Sequence, residues 1–177
     1  MVTCLAPLVE YLDRLDDRAP IDQLTARLAE LAIDCDELHE WMQFSQQHYA
    51  RNLVAAGPWY NLLVLCWLNG QRSPIHDHLG SSCGVRVLRG TMTETQFKFS
   101  ANGLVFATGS RECPPGSVIG SLDHDLHQVS NLQAGAADLV TLHVYTPPLR
   151  FMGTYSLTDN VRGQEAMLLE FSDAAGI

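Results

Sequence analysis

The sequence predicts a mainly β protein, a β-barrel or jelly roll preceded by a helical segment. Three observations predict it. Apolar residues recur at helical spacing in the first part of the chain. After Gly57-Pro58 the pattern changes to short runs separated by turn signals, at intervals of roughly ten residues. The first of these, residues 60–68, is apolar apart from Asn61, as in a strand buried on both faces.

Residues 3 to about 56 read as helical. Leu5, Leu8, Val9, Leu12 and Leu15 share one helical face, and Pro20 interrupts the pattern. Asp22 is a candidate cap for a second helix carrying Leu24, Leu28 and Leu31. Asp34 or Asp36 is a candidate cap for a third, with Leu38, Trp41, Met42 and Phe44 facing inward. The strand runs follow at 60–68, 84–88, 91–99, 104–108, 117–119, 127–129 and 139–145. Arg89-Gly90 and Asn102-Gly103 are tight-turn candidates. Residues 1–177 are expected to form one domain, with 1–56 mostly helical and 57–177 the barrel.

Composition narrows the function classes. The chain is 46% hydrophobic and 18% charged, which places it among folded soluble proteins. A net charge of −9 without any Lys/Arg cluster argues against a nucleic-acid partner, though one buried arginine still suffices for a small anionic substrate. Cys4, Cys35, Cys66, Cys83 and Cys113 are dispersed with no CxxC pair, as expected of a reduced intracellular protein rather than a disulfide framework. The apolar run at 62–68 is too short to span a bilayer, and the N-terminus lacks a signal-peptide pattern. A cytoplasmic location without membrane attachment is the expectation.

His76 and His78 carry the chemistry. One intervening residue puts both on the same side of a β-strand. Two neutral imidazoles on one face make half of a transition-metal site. Alone, such a pair in a globular chain is more often a surface feature, but its surroundings are specific. The chain reads Gly70-x5-His76-x-His78-x4-Cys83-x6-Gly90, and later Pro114-Pro115-Gly116 followed by His127-x3-Asn131. These stretches resemble the first and second cupin motifs, with Cys83 where many cupins carry a metal-binding Glu and a longer gap before His127. The resemblance implies a cupin jelly-roll barrel with His127 as third ligand. His124 has the wrong spacing to Asn131 and reads as a solvated loop residue; His39 and His48 have no ligand spacing.

Four blocks narrow the resemblance to the cysteine dioxygenase family. They are Tyr49-Ala-Arg51-Asn52-Leu, Leu65-Cys-Trp67, the stretch from Ile75 through Cys83 to Glu94-Thr, and Leu142-His143-Val-Tyr145-Thr-Pro147-Pro148. With His127 the likeness runs from about residue 45 to 150. It implies one Fe(II) per chain, held by His76, His78 and His127, and oxidation of L-cysteine by O2 to cysteine sulfinic acid. Three imidazoles by themselves also suit zinc, nickel or copper, so iron comes from the resemblance.

The family's carboxylate-binding arginine matches Arg51, and Tyr49 lies where it faces the same pocket. Thr141, His143 and Tyr145 alternate along one strand and point inward together. The resemblance makes Tyr145 the donor toward oxygen or substrate, His143 its orienting partner and Thr141 the next member of the row. Cys83 matches the cysteine that forms a thioether with that tyrosine, and a cis bond is expected at Thr146-Pro147. A monomer acting on small molecules is expected. The competing readings are a dioxygenase for 3-mercaptopropionate or another small thiol, and a non-catalytic cupin that binds a metal or ligand. Relatives of the former kind typically carry Gln where this chain has Arg51.

Overall fold

The computed structural model describes residues 3–33 and 35–167. Two short helices come first, α1 (Ala6–Leu12) and α2 (Ile21–Glu30), then a 3-10 segment at Cys35–Trp41. Eleven strands follow among the described residues: β1 (Ala50–Gly57), β2 (Tyr60–Trp67), β3 (Ile75–His76), β4 (Ser82–Arg89), β5 (Met92–Phe99) and β6 (Val105–Cys113), then β7 (Val118–Ser121), β8 (Leu126–Ser130), β9 (Leu139–Thr146), β10 (Phe151–Tyr155) and β11 (Gly163–Ala166). They form a five-stranded sheet in the order β1-β2-β9-β4-β7 and a six-stranded sheet in the order β11-β10-β3-β8-β5-β6. All named pairings are antiparallel. The mainly β architecture with N-terminal helices is as predicted.

The five-stranded sheet has two apolar faces. On its outer face Leu62, Val64, Cys66, Val140, Leu142 and Val144 pack with Leu8, Leu12, Leu24 and Leu28 of the helices. On its inner face Leu63, Leu65, Trp67, Val85 and Tyr145 join Met92 and Val129 of the opposite sheet. Burial on both sides is why β2 is apolar throughout from Leu62 to Trp67. Helix α2 rests on a cross-strand pair of glycines, Gly84 of β4 and Gly120 of β7. A Cβ at Gly84 would lie 2.6 Å from Leu28 Cδ1, and one at Gly120 2.7 Å from Ile21 Cγ1. The missing side chains let the helix approach the sheet. Gly90 ends β4 at φ 77, a conformation that favours glycine, and a Cβ there would collide with the Asp138 carbonyl. The Thr146–Pro147 bond is cis, as expected.

The helical part is shorter than the 1–56 expectation. Ala50–Gly57 is strand β1, paired in register with β2. Its side chains alternate: Ala50 and Val54 pack under the helices, whereas Tyr49 and Leu53 join the barrel interior. That period of two, together with sheet pairing, outweighs the helical propensity of Leu53, Ala55 and Ala56. The third helix is the 3-10 segment, and its Asp36 lies in the first turn; Asp34 lies outside the described residues. Asp22 does not cap α2. Pro20 holds the cap position without a side-chain bond, and Asp22 lies in the first turn, where its charge suits the helix dipole. Strand β6 continues to Cys113 through a polar, exposed stretch that gives no apolar pattern to read. β10 and β11 were not predicted, for the same reason in β11, which is exposed throughout.

Candidate active site

Strands β3 and β8 bring the three predicted ligands together. His76 and His127 are cross-strand partners, and His78 follows β3 by two residues. One nitrogen from each ring lies within 4.8 Å of the other two. The ring centroids are 4.7–5.2 Å apart, and all three side chains are buried. Asp77, between the first two, turns the opposite way. Its carboxylate accepts from the Gly153 N–H at 3.0 Å and the Tyr155 hydroxyl at 2.6 Å. A Cβ at Gly153 would sit 2.8 Å from Asp77 Oδ2, so glycine there admits the carboxylate. This anchor fixes a two-residue strand that has few ladder bonds of its own.

The site fits a cation. Burial, reinforced by the neighbouring His127, pushes the His76 imidazolium down to about 3. Burial also pushes His78 well below its ordinary value. Both rings are therefore neutral donors. His76 Nδ1 donates to the Pro74 carbonyl at 3.0 Å, which leaves Nε2 its lone pair. His127 Nδ1 lies 3.0 Å from Glu94 Oε1. Both ring nitrogens of His78 are buried without a hydrogen-bond partner among the described residues. Unsatisfied buried imidazole is costly, and a coordinated metal ion relieves that cost at one of those nitrogens.

Arg51 of β1 enters the same small cavity, whose wall also includes His76, His78, Cys83, His127 and Tyr145. The arginine is buried, its Nε has no partner among the described residues, and its guanidinium carbon lies 5.4 Å from the centroid of the Tyr145 ring. It also interacts with the Tyr49 hydroxyl. Tyr49 in turn stacks on Trp67 at 4.1 Å and 12°. Cys83 is directly opposite Tyr145 in the β4–β9 register and faces the cavity, whereas the next residue, Gly84, faces α2. Burial pushes the Cys83 thiol up to about 12 and the Tyr145 phenol above its ordinary value. Both therefore keep their protons.

A hydrogen-bonded row runs along β9. Trp67 Nε1 donates to Thr141 Oγ1 at 3.0 Å; Thr141 Oγ1 lies 2.9 Å from His143 Nε2; His143 Nδ1 lies 3.3 Å from the Tyr145 hydroxyl. Indole is a donor only. With that N–H aimed at its oxygen, the Thr141 hydroxyl is free to donate onward to His143 Nε2. Burial holds His143 well below its ordinary value and so neutral. With Thr141 as donor to Nε2, the single proton of His143 is on Nδ1 and points at the Tyr145 oxygen. The phenol proton is left to point into the cavity.

The family model described as cysteine dioxygenase type I matches residues 2–158. The chain belongs to the cysteine dioxygenase family. Cysteine dioxygenase type 1 of Homo sapiens is 33% identical over 152 residues, 81% of this chain and 74% of that protein. The Bos taurus protein of the same name is 28% identical over 181 residues, 98% of this chain and 88% of its own length. Among solved structures, TT1209 from Thermus thermophilus superposes with a TM-score of 0.52 at 19% identity, over 62% of this chain and 93% of that one. The last is a likeness of fold, and the fold is the cupin barrel that the motifs imply.

Within this cysteine dioxygenase family member, each singled-out residue has a defined place. His76, His78, His127, Arg51, Cys83, His143 and Tyr145 line one cavity, with Thr141 one hydrogen bond behind it. His124 is exposed and outside the histidine cluster. Two contributors were not foreseen. Asp77 was only the spacer of a motif, and Glu94 only one letter in a block. The sequence carries no local signal for Glu94, and both carboxylates stand out only once the fold shows them buried, where Asp and Glu rarely lie without a partner.

Proposed function

We propose that this protein oxidises the thiol of L-cysteine with O2, using one Fe(II) held by His76, His78 and His127. Both oxygen atoms go to sulfur, and the product is cysteine sulfinic acid. The observation that carries this reading is Arg51: a buried cation, its Nε without a partner among the described residues, in the same cavity as the three clustered imidazoles. A cation there suits a substrate carboxylate, and the planar guanidinium fork matches carboxylate geometry. When bound, Fe(II) supplies open coordination positions for thiolate and dioxygen.

The chain's own residues do the rest. Arg51 holds the carboxylate and so fixes which end of the substrate reaches the histidines. Tyr145 presents a protonated hydroxyl to the cavity and donates a hydrogen bond to bound substrate or oxygen. His143 and Thr141 are positioning residues that aim that proton. The apolar wall of Leu65 and Val129 limits water in the cavity. Cys83 is the proposed thioether partner of Tyr145.

We place the protein in the cytoplasm, acting on small molecules. No disulfide is present among the described residues, and no helix among them is long and apolar enough to cross a membrane.

Oxygen uptake after anaerobic Fe(II) loading tests the reading. The substrates are L-cysteine, 3-mercaptopropionate, which lacks the amine, and cysteamine, which lacks the carboxylate. L-Cysteine is expected to turn over best, with product mass increased by two oxygen atoms. Equal or better turnover of 3-mercaptopropionate would reassign the substrate. No uptake with any thiol would leave a non-catalytic cupin.

A further inference from the structure

The three histidines differ in what stands behind them. His76 Nδ1 meets a backbone carbonyl, and His78 has no partner on either ring nitrogen among the described residues. Among the described residues, His127 alone is backed by a carboxylate, Glu94 Oε1 at 3.0 Å. Glu94 is buried, and its other oxygen, Oε2, accepts from Arg111 Nε at 2.7 Å and lies 2.6 Å from Arg111 Nη2. The register explains the arrangement. β5 lies between β6 and β8, with Glu94 opposite Arg111 on one side and Gln96 opposite His127 on the other. The other nearby carboxylate, Asp77, is turned to Gly153 and Tyr155.

We propose that Glu94, clamped by Arg111, is the positioning residue of the metal centre. It accepts the Nδ1 proton of His127, fixes the tautomer that leaves Nε2 as donor, and makes His127 the most electron-rich of the three ligands. Outer partners of this kind hold a ligand ring in place and strengthen its donation. The three imidazoles add no charge of their own, so this carboxylate also supplies negative charge one ring away from the ion. Arg111 acts only through Glu94: its side chain is 56% exposed and reaches the site by that contact. The inference rests on reading the three histidines as metal ligands.

The test measures dissociation constants for Zn(II) and Fe(II) by chelator competition, with the Fe(III)/Fe(II) midpoint potential as a second readout. Glu94→Gln keeps the shape and removes the charge. It is expected to weaken both metals by about 10- to 100-fold and to raise the potential, because lost negative charge favours the reduced ion. Arg111→Ala is expected to weaken binding by a smaller factor, and the double variant to lose no more than Glu94→Gln alone. Metal affinity of Glu94→Gln within twofold of the parent overturns the proposal. So does an Arg111→Ala loss that persists undiminished in the Glu94→Gln background. If Glu94→Gln does not fold, the half-exposed Arg111 decides: unchanged metal affinity in Arg111→Ala overturns the clamp. A parent protein that binds no metal, or whose binding survives His76→Ala, defeats the ligand reading instead.

Discussion

Cys83 and Tyr145 are cross-strand partners, held opposite each other by the β4–β9 register and both buried. Directly opposed side chains have Cβ atoms about 5 Å apart, within reach of a sulfur-to-ring bond. Joining Sγ to the ring carbon beside the hydroxyl removes two hydrogens and two electrons, which dioxygen accepts. After turnover with Fe(II) and L-cysteine, a fraction of the protein is expected to weigh two hydrogens less, and peptide mapping to join the Cys83 and Tyr145 peptides. Cys83→Ser abolishes that species. A parent that shows no mass loss after prolonged turnover rules out the bond.

Thr141 links Trp67 to His143, and its role is directional. Thr141→Val keeps the volume but removes the hydroxyl that lies 2.9 Å from His143 Nε2. The imidazole is then free to carry its proton on either nitrogen, and the Tyr145 proton is no longer aimed into the cavity. Loss of one such bond is worth about 1 kcal/mol, or roughly a fivefold to tenfold fall in kcat. Metal affinity is expected to stay within twofold. A fall in metal affinity that tracks the fall in kcat would make Thr141 a packing residue instead. Trp67→Phe should act in the same direction, with an added loss from its stack on Tyr49.

Arg51→Gln separates carboxylate recognition from thiol chemistry. Glutamine is neutral and has no fork, so the charge-assisted contact is lost. Such contacts are worth about 1.5–3 kcal/mol, which predicts a roughly 10- to 100-fold lower kcat/KM for L-cysteine. Cysteamine has no carboxylate, so its turnover should change little. The ratio of the two substrates is therefore the measurement. Equal losses for both would place Arg51 outside substrate selection.

Much of this site was legible because its signals are local. His76 and His78 share a face at a spacing of two, and Thr141, His143 and Tyr145 do the same. His127 and Arg51 were legible only through the likeness to a family, since the contacts joining them to the pair are made across strands. Strand β1 was misread because its residues are weakly helical by propensity, and its neighbour β2 becomes its partner only in the folded chain. Glu94 was missed for a related reason: its partners Arg111 and His127 lie on two other strands, 17 and 33 residues away. A carboxylate in a polar, alternating strand looks like a solvated face until the register places it inside. The seat of α2 was hidden in the same way, since neither Gly84 nor Gly120 signals alone that the two are paired.

That seat yields the last prediction. Gly84 is adjacent to Cys83 but faces the helix, and a Cβ there would lie 2.6 Å from Leu28 Cδ1 and 3.0 Å from Leu24 Cγ. Both leucines are fully buried between α2 and the sheet. Gly84→Ala gains about 0.4–1 kcal/mol from the stiffer unfolded chain. Overpacking costs about 1–3 kcal/mol, so the net effect is expected to be destabilising. Leu28→Ala leaves a cavity and costs about 2–5 kcal/mol by itself. The two changes compensate in space, since the new methyl fills part of the gap left by the leucine. Urea unfolding of the double variant should therefore show less destabilisation than the two single losses added together. Strict additivity would mean that α2 shifts away from the sheet without relying on this contact.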